Sequence, residues 1–151
     1  MKAFMISLAM MVFSTVTFSQ ELELIDGKYY NGNEPFTGIS REYHDNGNLK
    51  IRMNIKDGVP DGNTRLFYED GSLKEQRSFK NGMKDGIWIQ WDKDQNRVAE
   101  ASYKNDLKHG YWYLWDQEGN KRYEMYYVKG EKEGNWYMWD AQGNLAMERA
   151  Y

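Results

Sequence analysis

The sequence contains no cysteine, two prolines and two histidines among its 151 residues. Without cysteine the fold has no disulfides, so its stability must come from packing and hydrogen bonding. A chain of this length forms one ordinary domain. Because proline is scarce and 16% of the residues are aromatic, the composition indicates a chain that buries a core and is not disordered.

The chain also lacks an excess of positive charge. It has 20 lysines and arginines against 23 acidic residues, a net charge of −3, and removal of Lys2 with the first nineteen residues would make it −4. A weakly acidic protein has no long-range attraction for nucleic acid or for an anionic membrane surface. We therefore expect no nucleic-acid partner.

The first nineteen residues differ in composition from the rest. Lys2 precedes an uncharged apolar run, Ala3–Phe13, and small residues follow up to Ser19. This pattern predicts a secretory signal peptide over residues 1–19, cleaved before Gln20. An uncleaved anchor is the alternative, but the apolar run is shorter than the ~20 residues of a spanning helix. We expect Sec-type export to a periplasmic or extracellular location.

One eleven-residue stretch occurs twice. "GYWYLWDQEGN" begins at Gly110 and "GNWYMWDAQGN" begins at Gly134, 24 residues later. The same interval separates five glycines: Gly38, Gly62, Gly86, Gly110 and Gly134. A fixed period of this length predicts a repeat array. We assign the array to residues 38–151 and an N-terminal capping hairpin to residues 20–37.

Each repeat has the pattern of a β-hairpin. "LKIRMNI", Leu49–Ile55, alternates apolar and polar residues, which is typical of a strand. Segments such as "HDNGN" and "DAQGN" suit three-residue hairpin loops with glycine in the left-handed region. The sequence therefore predicts an all-β fold, an elongated single antiparallel sheet of about five stacked hairpins.

Alternation also predicts two aromatic columns on opposite faces. We expect the residues five positions into each repeat to form the core, together with the odd-numbered positions of the second strand. These core residues are Tyr43, Phe67, Trp91, Trp115 and Trp139. The other face would carry Trp88, Trp112 and Trp136 beside Leu114 and Met138. Those residues either stiffen the sheet or form a face for a ligand or partner.

Two segments carry a family resemblance. "FKNGMKDGIWIQW" and "YKNDLKHGYWYLW" resemble MORN repeats in their bacterial variant form, over Phe36–Tyr151. "NEPFTGISREYHDNGNLK", Asn33–Lys50, is similar to the opening of the YwqK-type antitoxin family. The resemblance implies elongated sheets of stacked hairpins without enzymatic activity that bind proteins or phospholipid. An antitoxin would neutralise its toxin by direct contact.

The polar residues give no catalytic motif. His109 precedes a repeat-start glycine, where a turn role is expected, and His44 has no catalytic partner in the pattern. The periodic Asp92, Asp116 and Asp140 suggest hydrogen bonds to their own turns more than a calcium ladder. We expect no catalytic residue, no metal and no cofactor, and hence no enzyme.

These observations favour an exported, non-catalytic interaction module that binds a protein partner through one face of its sheet. The alternatives are an envelope protein that binds glycan or phospholipid, and an antitoxin-like inhibitor of a toxin. The last strand, Asn144–Tyr151, has an edge that could pair with a second copy or a partner.

Overall fold

The computed structural model describes residues 22–151, so the predicted signal peptide lies outside the described residues. All regular elements in this part of the chain are β-strands. No helix among these residues has the length and apolar character needed to cross a membrane.

The strands follow the repeat closely. Their bounds are β1 (Glu23–Ile25), β2 (Lys28–Asn31), β3 (Glu34–Pro35), β4 (Gly38–Tyr43), β5 (Leu49–Lys56), β6 (Val59–Phe67), β7 (Leu73–Lys80), β8 (Met83–Lys84), β9 (Gly86–Trp91), β10 (Arg97–Lys104), β11 (Leu107–Trp115), β12 (Lys121–Val128), β13 (Glu131–Lys132), β14 (Asn135–Trp139) and β15 (Leu145–Ala150).

Successive hairpins join edge to edge into one large sheet. Its strand order is β15-β14-β12-β11-β10-β9-β7-β6-β5-β4, with β8 beside β7 and β13 beside β12. Each strand pairs antiparallel with its neighbours. The prediction of an antiparallel sheet of hairpin repeats is confirmed.

The N-terminal residues form a separate three-stranded sheet, β1-β2-β3. Its first turn contains Asp26 and Gly27, which have φ angles of 49° and 77°. The small sheet is held by the first turn between repeats: the Tyr29 N–H donates to Gly58 O, and the Gly58 N–H donates to Phe36 O, both at 2.8 Å. A Cβ at Gly58 would lie 3.1 Å from Tyr29 O, so this close approach requires glycine.

The hairpin loops have the predicted three residues. In the first repeat the His44 N–H donates to Asn48 O at 2.8 Å, and the Gly47 N–H donates to His44 O at 2.9 Å. In the third repeat Gln95 replaces the glycine and keeps the left-handed conformation, with φ 64°. Its N–H donates to Asp92 O at 3.2 Å, so the loop is preserved without glycine.

A β-bulge follows each loop, and the sequence did not predict it. Tyr43 pairs with Leu49, but Glu42 pairs with Ile51, which leaves Lys50 as an extra residue. Equivalent register shifts occur in the other four hairpins. One extra residue reverses the alternation of the second strand. The prediction that its odd-numbered positions share a face with the Tyr43 column is therefore wrong.

Cross-strand pairing defines two faces of the sheet. The Trp88 face carries Trp88, Trp112 and Trp136 with the odd-numbered positions of the second strands, for example Ala101 and Met125. The Tyr113 face carries the even-numbered positions of those strands with Ile87, Ile89, Trp91, Tyr111, Tyr113, Trp115, Tyr137 and Trp139.

The most buried side chains lie on the Trp88 face. The buried hydrophobic residues in the described part of the chain are Met53, Ile55 and Tyr127. Tyr43, which was predicted to be core, is 53% exposed, so the prediction fails for this residue. The other members of its column, Phe67, Trp91, Trp115 and Trp139, are half-buried, and their core role stays a prediction.

Candidate interaction faces

The Trp88 face contains a continuous ladder of aromatic rings. Neighbouring ring centroids are 4.8–5.5 Å apart and the ring planes are tilted by 52–62°. This is the favourable geometry for aromatic pairs, worth about 0.5–1.5 kcal/mol each beyond their buried area. In order along the sheet the members are Phe79, Trp88, Tyr103, Trp112, Tyr127, Trp136 and Tyr151.

The three indoles of this ladder are engaged within the protein. Their Nε1–H groups donate to backbone carbonyls at 3.0–3.2 Å, at Ser78, Ser102 and Tyr126. The ammonium groups of Lys84, Lys108 and Lys132 lie 4.4–4.8 Å from the indole centroids. Ring edges and faces are thus already occupied, which favours the structural use of these residues. That Trp88, Trp112, Trp136, Leu114 and Met138 contact a partner stays a prediction.

The same face is polar in the second repeat. Glu75 is 6% exposed, and Arg77 donates to its two carboxylate oxygens at 2.8 and 2.9 Å. The Arg77 guanidinium lies 5.2 Å from the ring centroid of Trp88, the first indole of the aromatic ladder. Thr64 is 5% exposed, and its Oγ1 has no hydrogen-bond partner among residues 22–151. A buried ion pair and an unsatisfied hydroxyl therefore replace the indole packing of later repeats.

The Tyr113 face presents more open aromatic surface. Tyr111 and Tyr113 lie nearly parallel, with centroids 5.7 Å apart and planes 10° apart. Tyr111 is 49% exposed and also contacts Tyr126, with 4.8 Å between centroids. Nearby Ile87 is 47% exposed. Tyrosines with one free ring face and a hydroxyl are common at protein interfaces.

Acidic residues alternate with tyrosines along the middle of this face. The directly paired residues are, in order, Glu100, Tyr113, Glu124, Tyr137 and Glu148. Burial, with the nearby Glu124 charge, raises the pKa of Tyr113 above its ordinary value. Sequence reasoning missed the glutamates because the bulges hid which face they occupy. Their 24-residue spacing was the available signal.

Cations join this acidic row on one side. Arg97 forms an ion pair with Glu100 at 3.1 Å, and Lys121 forms one with Glu124. Residues of this region, including Tyr113 and Trp115, line an open depression of about 430 Å³. The depression offers carboxylate, ammonium and aromatic groups within one small area, which suits polar recognition.

The periodic aspartates and His109 form hydrogen bonds within turns. Asp92, Asp116 and Asp140 each accept the N–H four residues later at 2.8–2.9 Å, and Lys129 donates its N–H to His109 Nδ1 at 3.4 Å. The backbone hydrogen bond from Asn144 lowers the pKa of Asp140. Within residues 22–151 no group of three histidine, aspartate or glutamate residues is arranged to hold a metal ion.

Comparison with known proteins finds a family similarity for two units of the array. The MORN repeat variant family matches residues 36–57 and 60–81, two adjacent units of the array. MORN repeats generally mediate interactions with proteins or membranes. This match is to the repeat motif, and it does not assign the chain to an antitoxin family.

No curated protein matches this chain. The solved structure titled "Crystal structure of GtfA/B complex bound to UDP and GlcNAc" aligns with 89% of this chain at 13% identity and a TM-score of 0.33. This chain spans only 29% of that one, and a likeness this weak carries no argument about function. The two adjacent segments at 36–57 and 60–81 match variant MORN repeats, and the 24-residue glycine spacing continues beyond them to Gly134.

Proposed function

We propose that this protein is an exported, non-catalytic interaction module that binds a protein partner through the Tyr113 face. The observation that carries the proposal is the contrast between the two faces. The indoles of the Trp88 face are used by the protein itself, whereas Tyr111 remains half-exposed beside the acidic row. The export part of the proposal rests on the composition of residues 1–19.

The chemistry of the Tyr113 face suits a protein ligand. Tyrosine and tryptophan supply large, rigid contact areas at low cost in conformational entropy. Glutamates and cations between the rings provide directional polar contacts, as at the rims of many interfaces. Binding by such a surface needs no reacting group, and the two histidine side chains hydrogen-bond with the backbone, His44 at Phe67 at the end of β6 and His109 at Lys129 in a turn.

The test compares two triple variants. Tyr111→Ser, Tyr113→Ser and Tyr137→Ser together remove the exposed Tyr111 and the half-buried Tyr113 and Tyr137. Leu114→Ser, Tyr123→Ser and Met147→Ser change three residues of the Trp88 face that are 37–38% exposed, and they serve as the control on the opposite face. Each variant is used to capture proteins from envelope and soluble fractions of the source cells, and captured proteins are purified and rebound.

We expect a purified partner to rebind the native and control proteins and to lose at least about tenfold in affinity for the tyrosine variant. Circular dichroism checks that both variants keep the strand signal. If rebinding is lost only in the control variant, the Trp88 face is the partner surface and the proposal is wrong. Capture of no rebinding partner from either fraction also contradicts it.

A glycan is the second candidate ligand, because a sugar could stack on the ring of the exposed Tyr111, which lies nearly parallel to that of Tyr113. Binding on a glycan array that the tyrosine variant loses would favour it. An inhibitor of a toxin is a special case of the protein-binding proposal. For that case, the expected observation is a captured partner whose toxicity this protein suppresses.

A further inference from the structure

Three arginines stand directly opposite one another on the Tyr113 face of the first two repeats. Arg41 on β4 pairs with Arg52 on β5, and Arg52 pairs with Arg65 on β6. Residues directly opposite in antiparallel strands have Cβ atoms about 4.5–5.5 Å apart. We name this set the arginine ladder: Arg41, Arg52 and Arg65.

No acidic residue in the described part of the chain forms an ion pair with this ladder. The Arg52 Nη1 donates to Asn54 Oδ1 at 3.4 Å, and the Arg65 Nε donates to Gln76 Oε1 at 3.1 Å. Both acceptors are neutral. Like charges directly opposite in a sheet are destabilising, and these neutral acceptors do not neutralise the arginines.

The ladder belongs to the same row as the acidic residues described above. Beyond Arg65 the paired residues continue through Gln76 and Ile89 to Glu100. The row is thus positive in the first two repeats and acidic in the last three. An extended anionic surface, such as a membrane or a nucleic acid, would meet Glu148 and the ion-paired Glu100 and Glu124 further along the same face, where it would find no excess of positive charge.

We propose that the arginine ladder binds a short carboxylate-bearing segment of a partner protein. Each guanidinium can donate two parallel hydrogen bonds to a carboxylate, a geometry that suits arginine better than lysine. The three strands span about 10 Å, enough for a few acidic side chains and too short for a polyanion track. Ile39 and Tyr43, which are 38% and 53% exposed beside the ladder, add apolar contact area.

This inference rests on the proposed protein-binding function and states the chemistry of one part of the partner. The test uses the purified full-length chain and a fluorescein-labelled hexaglutamate peptide, followed by fluorescence anisotropy. Hexaglutamine serves as the neutral peptide, and phosphatidylglycerol vesicles represent an anionic membrane.

The test variant combines Arg41→Gln, Arg52→Gln and Arg65→Gln. The matched control combines Lys50→Gln, Lys56→Gln and Lys80→Gln, which removes the same charge from exposed residues that form no ion pair within residues 22–151. We expect hexaglutamate to bind the native and control proteins alike, more weakly as salt is raised. The arginine variant should bind it about tenfold more weakly, and hexaglutamine should not bind.

A second readout separates binding from a structural role. Because the ladder repels itself, its replacement by glutamine should leave the melting temperature unchanged or raise it. A fall in melting temperature larger than that of the lysine control would assign the arginines to the scaffold and overturn the proposal.

Several other results would overturn the proposal that the arginine ladder binds a carboxylate-bearing segment. Equal binding of hexaglutamate by the two variants overturns the proposal, as does arginine-dependent binding of vesicles without binding of the peptide. Sedimentation showing self-association that only the arginine variant loses would assign the ladder to a second copy and overturn it. A partner that rebinds native and arginine-variant protein equally refutes this inference alone, whereas failure to capture any partner refutes the proposed function.

Discussion

The first two repeats and the last three use the same backbone for different side chains. Thr64 in the second repeat and Trp112 in the fourth occupy the same repeat position, two residues after the starting glycine. Thr64 is buried with an unsatisfied hydroxyl, whereas Trp112 packs between two tyrosine rings and donates a hydrogen bond. The backbone hydrogen bonds and glycines therefore determine the hairpin fold. The side chains determine how the first two and the last three repeats are stabilised and what they can bind.

Truncation of a tryptophan in the aromatic ladder should have the largest effect on stability. We expect Trp112→Ala to lower the free energy of unfolding by about 3 kcal/mol, because it leaves a gap between Tyr103 and Tyr127 and an unpaired carbonyl at Ser102. Urea denaturation measures the loss. Trp115→Ala, on the Tyr113 face, is the control, and an equal or larger loss there would contradict the comparison.

Loss of the Glu75–Arg77 ion pair in the second repeat should have the next largest effect on stability. Arg77→Met leaves the buried Glu75 carboxylate without its two guanidinium hydrogen bonds. We expect a loss of about 2 kcal/mol, below the value for fully buried pairs because the Arg77 side chain is 35% exposed. The double variant with Glu75→Met should recover most of the loss, and no recovery in urea denaturation would show that the pair is not the cause.

Thr64 allows a change in the opposite direction. Thr64→Val keeps the shape of the side chain and removes the unsatisfied hydroxyl, so stability should rise by about 1 kcal/mol. Calorimetry should show a higher melting temperature. Thr64→Ala removes a methyl group as well and should show no gain, so equal gains from both variants would refute this explanation.

The smallest expected effect is the dependence of stability on acidic pH that Asp140 causes. In the first loop the neutral Asn46 Oδ1 accepts the Asn48 N–H, whereas in the fifth loop the carboxylate of Asp140 accepts the Asn144 N–H. The pKa of Asp140 is lowered from 3.8, chiefly by this backbone hydrogen bond. Its contribution to stability is therefore present above the unfolded pKa and lost as pH falls through the folded pKa.

A matched pair of variants checks this dependence. Asp140→Asn should be slightly less stable than the native protein at neutral pH, and the difference should shrink as pH falls below 3.8. Asn46→Ala should reduce stability by an amount that does not depend on pH over this range. A difference at Asp140 that persists in strong acid would show that its charge is not involved.

The architecture could be predicted because the repeat-start glycine recurs every 24 residues and agrees with the loop composition and the alternation. Gln95 and Asp106 are exceptions to the glycine pattern, because the other repeats have glycine at these positions. Both adopt left-handed angles of 64° and 65°, so the frame tolerates these substitutions. In Asp106 the side chain also accepts the Lys84 N–H at 2.8 Å, which helps to hold that conformation.

The assignment of faces could not be predicted, because one bulge residue decides it. Lys50 and its equivalents carry no distinctive sequence signal, yet each reverses the alternation of the strand that follows. As a result, Tyr103 and Tyr127 lie in the aromatic ladder of the Trp88 face. Arg52 and Glu124 lie on the Tyr113 face. The charged row could be recognised only after the register was known.

The central claim is that the Trp88 face holds the array together and the Tyr113 face is free for a partner. The most direct test is urea denaturation of two triple variants, one with Trp88, Trp112 and Trp136 changed to serine and one with Tyr111, Tyr113 and Tyr137 changed to serine. The account predicts that the first variant loses most of its stability, while the second unfolds close to the native midpoint. A tyrosine variant that unfolds as early as the tryptophan variant, or earlier, would contradict it.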